Sequence, residues 1–116
     1  MSTIKMKAVV AIGLGLLLII LLNITGCKKE TEKPPANEVW IQDDAFNPEV
    51  ITVSANSTVV WRNKDDGPHT VTSDTTIWDS GNIQAGASYS RQFPTAGTYH
   101  YHCNIHNFMK GTVIVQ

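Results

Sequence analysis

Residues 38–116 are predicted to fold as one all-β sandwich of about 7–8 strands. Three observations support this. Apolar and polar residues alternate with period two, as in Val50/Thr52 and Val59/Trp61. Turn-forming clusters recur about every ten residues. No stretch repeats with helical period, and no internal repeat is visible. The segment is long enough for one core and too short for two.

Taken in order, the expected strands are Glu38–Gln42, Glu49–Ser54, Ser57–Asn63, His69–Ser73, Ser88–Phe93, Thr98–Cys103 and Gly111–Gln116. Residues 97–103 in particular are rich in the residues that suit a pleated, half-buried surface. Ala55-Asn56, Lys64-Asp65-Asp66-Gly67, Asp79-Ser80-Gly81-Asn82 and Pro94-Thr95-Ala96-Gly97 supply turn chemistry between them. Trp40, Trp61, Trp78, Phe93, Tyr99 and Tyr101 are expected in the core.

The 116-residue chain begins differently. Lys5 and Lys7 precede a wholly apolar run over residues 8–22, the pattern of an export signal. Ile24-Thr25-Gly26-Cys27 resembles the bacterial lipobox, which implies that residues 1–26 are removed and Cys27 becomes a lipidated N-terminus. The alternative is a single N-terminal membrane anchor, although the run is shorter than the ~20 apolar residues that span a bilayer. Either reading places the domain outside the cytoplasm, in a periplasm or on the outer face of a cell membrane. Residues 27–37 read as a disordered tether, charged and carrying Pro34-Pro35.

Two cysteines in an exported chain would first suggest a disulfide. Here Cys27 is assigned to lipid and Cys103 to a metal, so none is expected. Within residues 38–116 only Arg62, Lys64, Arg91 and Lys110 are basic, against eight acidic residues. That balance argues against nucleic acid, which demands a basic footprint. It suits either a partner with basic residues at its docking site or an acidic surface that merely keeps a monomer soluble.

The chemistry is concentrated near the C-terminus. Cys103, His106 and Met109 follow a Cys-x-x-His-x-x-Met spacing, which offers a thiolate, an imidazole and a thioether. Soft sulfur with imidazole selects copper, and two His and one Cys with a weak axial Met is the blue-copper arrangement. Zinc prefers tetrahedral Cys, His and carboxylate ligands and has no need of Met109. The second His must come from His69, His100 or His102. Along the strand ending at Cys103, Tyr99, Tyr101 and Cys103 share the core face, and His100 and His102 point away. His69, in the loop Asp66-Gly67-Pro68-His69, is therefore the expected partner.

Pro68-His69, the run from Tyr101 to Gly111, Ala45-Phe46-Asn47-Pro48 and Val60-Trp61-Arg62-Asn63 together resemble the cupredoxins, the small blue copper proteins, over about residues 38–116. The short ligand loop is most similar to that of the amicyanin type, with plastocyanins close by. The resemblance implies a Greek-key sandwich and one type 1 copper on His69, Cys103, His106 and Met109. It implies single-electron transfer and no enzyme activity, because a saturated mononuclear site has no open position for substrate. Copper holding or delivery outside the cytoplasm is the alternative. It further implies that redox partners dock near His106, Ile105, Phe108 and Pro68, where Ile105 and Phe108 either form an apolar patch or simply cap the core.

Two departures from the family pattern carry expectations. Thr70 stands where an Asn commonly ties the two ligand loops together, and it reaches less far. Ile105 and Asn107 stand where amicyanins carry Pro. Either could donate its amide to the Cys103 sulfur and favour Cu(I). On that reasoning the wild type should have a higher reduction potential than Ile105→Pro.

Overall fold

Eight strands in two four-stranded sheets account for the domain, in a computed structural model that describes residues 32–116. In chain order these are β1 (Glu38–Gln42), β2 (Ala45–Asn47), β3 (Val50–Val53), β4 (Ser57–Asn63), β5 (Thr72–Ser73), β6 (Ser88–Phe93), β7 (Gly97–His102) and β8 (Lys110–Val115). One sheet runs β2-β1-β4-β6 and the other β3-β8-β7-β5. The β1–β4 and β3–β8 pairs are parallel and the other strand pairs antiparallel. Among the described residues there is no helix. The predicted leader over residues 1–26 and Cys27 lie outside the described residues.

Two expectations need correction. A strand at Ala45–Asn47 was not expected. It is three residues long, and it returns from β1 through Asp43-Asp44, both left-handed, at φ 56 and 54. That is the backbone of a tight hairpin turn, but without the glycine that usually announces one. The strand expected at His69–Ser73 shrinks to Thr72–Ser73, while His69 forms only an isolated bridge with Ile83. That backbone bridge, not a ladder, holds His69 in place.

Period-two alternation decides what is buried. Val39 and Ile41 of β1 and Val59 and Trp61 of β4 face inward from one sheet, and Tyr101, Val113 and Val115 face them from the other. Aromatic edges cross the interior. The Trp61 and Tyr101 rings lie 5.4 Å apart at 84°, and Phe46 meets Tyr101 at 4.7 Å. Trp78 meets Phe93 at 5.5 Å and 88°. Edge-to-face geometry matches the ring quadrupoles. Trp40 is buried but lies outside this cluster. Alternation turns it away from Val39 and Ile41, and the Lys64 ammonium covers it at 3.6 Å from the ring centroid.

Tyr101 stands directly opposite Gly111 in the β7–β8 ladder. The phenol end of its ring, at Cζ, Oη and Cε2, occupies the space where a Cβ would project. Gly111→Ala is therefore expected to cost about 1–3 kcal/mol by overpacking. Urea denaturation measures this, and an unchanged midpoint would show that the ring moves aside freely.

Candidate metal centre

The far end of β7 places the first donor. Tyr101 and Cys103 share the inward face, and Cys103 is fully buried just past the strand end. The following loop closes on itself: the Met109 amide donates to the His106 carbonyl at 2.9 Å, and the Cys103 amide donates to the Met109 carbonyl at 3.1 Å. Met109, 2% exposed, returns the chain to the core at the start of β8. His106 lies on the turn of this loop and is partly exposed.

His69 arrives from the other ligand loop. Its amide donates to the Ile83 carbonyl at 3.1 Å, and its carbonyl accepts from the Ile83 amide at 2.7 Å. Buried Asn63 pins the loop from below, donating through Nδ2 to the carbonyls of Gly67 at 2.8 Å and Ile83 at 2.9 Å. The His69 ring is 1% exposed.

These loops bring three donor atoms together. The Nδ1 atoms of His69 and His106 lie 3.2 Å apart, and Cys103 Sγ lies 3.8 Å from His69 Nδ1. All three fall within 4.8 Å of one another. Metal–nitrogen bonds of about 2.0–2.1 Å and a metal–sulfur bond of about 2.3 Å would span these gaps at roughly 100° and 120°. The convergence therefore fits a single cation between these donors, and a thiolate with two imidazoles suits copper. His100 and His102 stay outside, as alternation required. His100 Nδ1 contacts Thr112 Oγ1 at 3.0 Å, and His102 bridges Asp74 and Asn104.

The structure answers the question raised by Thr70. Its hydroxyl accepts the Asn104 amide at 2.7 Å, and its own amide donates to Cys103 Sγ at 3.3 Å. Asn104 reaches back through Nδ2 to Thr72 Oγ1 at 3.1 Å. The tie between the loops persists, with the amide side chain on the Cys103 side and the hydroxyl on the His69 side. Among the described residues, the backbone donor to the sulfur is Thr70, not Ile105 or Asn107. The expectation for Ile105→Pro thus loses its premise.

From the sequence Asp65 reads only as a turn residue. Its Oδ2 lies 2.8 Å from His69 Nε2, with Asp44 Oδ1 at 3.6 Å from the same nitrogen. Burial alone would push the Asp65 carboxyl up. The amides of Asp44 and Asp43 and the His69 ring outweigh that and hold it below its ordinary range. The sequence signal was faint: an acid four residues before a candidate ligand, inside a loop already explained by its turn.

The comparisons with known proteins agree with this geometry. A family model described as a cupredoxin-like domain matches residues 14–115. Plastocyanin of Scenedesmus fuscus is 40% identical over 84 residues, covering 61% of this chain and 86% of that protein. Amicyanin-alpha of Methylorubrum extorquens is 31% identical over 103 residues, covering 78% and 82%. Among solved structures, a reduced tryptophan-to-tyrosine variant of amicyanin superposes with a TM-score of 0.67 at 28% identity, covering 74% of this chain and 87% of that one.

Proposed function

The chain belongs to the cupredoxin-like family, and from that premise we propose that it is a blue copper protein that carries single electrons between redox partners. One observation carries the reading: a fully buried thiol and two imidazole Nδ1 atoms converge at one point. Buried Met109 would supply the thioether that completes the proposed set of His69, Cys103, His106 and Met109. Four protein donors leave no position for a substrate, which favours electron transfer over bond-making chemistry.

Copper, when bound, supplies a one-electron couple. The chain's own residues do the rest. Cys103 offers the anionic sulfur, and the Thr70 amide disperses part of its charge. Asn63, the Ile83 bridge and the Thr70–Asn104 tie hold the donors in place, so little must move when the charge changes. Burial of Cys103, His69 and Met109 keeps water from the sulfur side.

His106 is the proposed electron port, because it is the ligand nearest solvent. Ile105 is 44% and Phe108 70% exposed, and the Phe108 ring lies 5.9 Å from that of His106. The exposure supports an apolar docking patch with Pro68 over the reading in which both residues cap the core. A small patch of this kind suits transient redox encounters. Asp43, Asp44 and Asp66 border the depression lined by Pro68, Ile105 and His106 and would repel a second copy of the chain.

Residues 1–26 are proposed as an export signal and Cys27 as a lipidated tether through residues 27–37. That places the domain outside the cytoplasm on a membrane face, with an uncleaved anchor as the other arrangement. Mass spectrometry of the membrane-associated protein separates them: a diacylated Cys27 terminus supports lipidation, and an intact Met1 supports the anchor.

Electron self-exchange between oxidised and reduced copper-loaded protein tests the function. A carrier exchanges fast, and the rate rises with ionic strength as acid–acid repulsion is screened. Ile105→Glu is expected to slow exchange on the order of 10-fold at low salt while leaving the visible spectrum unchanged. Slow exchange in the wild type, with ready loss of copper to a chelator, would favour copper delivery.

A further inference from the structure

His69 and His106 meet the centre through the same atom, but their outer nitrogens face different surroundings. His69 Nε2 is sealed inside the protein, 2.8 Å from Asp65 Oδ2. His106 has no carboxylate partner among the described residues.

The position of Asp65 does not depend on the ring. Its Oδ1 accepts the Asp43 amide at 2.7 Å, and its Oδ2 accepts the Asp44 amide at 3.1 Å. Those consecutive amides converge because Asp43 and Asp44 are both left-handed, so the β1–β2 turn forms a small nest around the carboxylate. The Asp65 amide is itself fixed, donating to Asn63 Oδ1 at 3.0 Å. The carboxylate is therefore an acceptor anchored by backbone, and its side chain is only 18% exposed.

An ionised carboxylate can only accept. A neutral His69 ring beside it must carry its proton on Nε2, which leaves the Nδ1 lone pair facing Cys103 and His106. A carboxylate behind a ligating imidazole also raises its basicity as a donor. We propose that Asp65, clamped by the Asp43-Asp44 turn, is a positioning residue: it fixes the tautomer and orientation of His69 and makes His69 the stronger imidazole donor, favouring Cu(II) over Cu(I). The inference rests on the copper reading above. Its consequence is that the hairpin turn between β1 and β2, remote in sequence from every ligand, sets part of the reduction potential.

Two measurements on the full-length protein test it. The first needs no copper. Long-range proton–nitrogen NMR on the metal-free protein, at a pH high enough for the ring to be neutral, is expected to show His69 protonated on Nε2 and bare at Nδ1. A neutral ring with its proton on Nδ1 would overturn the proposal.

The second compares wild type with Asp65→Asn, loaded with copper. Loss of such a partner lowers metal affinity by on the order of 10–100-fold. If that loss falls on Cu(II), the potential rises by ~59 mV for each tenfold. Asp65→Glu, which keeps the charge, should recover part of the shift. A purely structural role would lower the melting temperature of Asp65→Asn and leave the potential of its folded, copper-loaded form unchanged. That result would overturn the proposal. A wild type that binds no copper would refute the electron-carrier reading instead, and the NMR result would still decide the tautomer.

Discussion

Cys103→Ser should abolish the intense visible absorption of the Cu(II)-loaded protein and leave the fold nearly unchanged. The absorption depends on a thiolate bound to copper, and Cys103 is the one sulfur among the described residues that can become an anion. Serine fills almost the same volume at this fully buried position. Its oxygen still accepts the Thr70 amide, so the loop contact survives. What disappears is the soft donor that copper in both oxidation states prefers. Residual copper binding through His69 and His106 would give a weakly coloured complex. A Cys103→Ser protein that stayed intensely blue would place the chromophore elsewhere.

Trp61→Ala is expected to destabilise the metal-free domain by about 3–5 kcal/mol, the range for truncating a large buried aromatic. Trp61 is fully buried, and its ring meets Tyr89, Phe93 and Tyr101 at 5.9, 6.3 and 5.4 Å. It therefore joins the aromatic contacts of one sheet to Tyr101 on the other. A domain of this size has roughly 5–15 kcal/mol of stability in all, so the variant should be marginal at room temperature. Its indole N–H makes no well-formed hydrogen bond, with only the Tyr101 hydroxyl as a neighbouring polar group, so Trp61→Phe gives up little polar contact and should cost much less. Urea denaturation with a chelator present is the measurement, because bound copper would mask the loss by mass action. A Trp61→Ala midpoint close to wild type would mean that the core repacks around the vacated space.

Much of this was legible in the sequence because it was local or periodic. Alternation along β7 separated Cys103 from His100 and His102, and the structure keeps that division. Six of the eight strands fall within a residue or two of the expected ranges. What could not be read depends on contacts between distant segments. The three-residue β2 has too little chain to show a pattern. The shortening of β5 follows from how the loop around His69 bridges to Ile83. Thr70 suggested a weakened tie because its side chain is short, but the missing reach is supplied by Asn104, 34 residues away in sequence. Asp65 read as one more turn residue. Its role emerges only when the β1–β2 turn folds over it and points two amides at its carboxylate.

His69, Cys103, His106 and Met109 are proposed to hold a single copper ion. Titration of Cu(II) into the metal-free, full-length protein, followed by visible absorption, tests it most directly. An intense blue band that grows linearly and stops at one equivalent is expected. A colourless or weakly absorbing product, or a band still rising well beyond one equivalent, would contradict it.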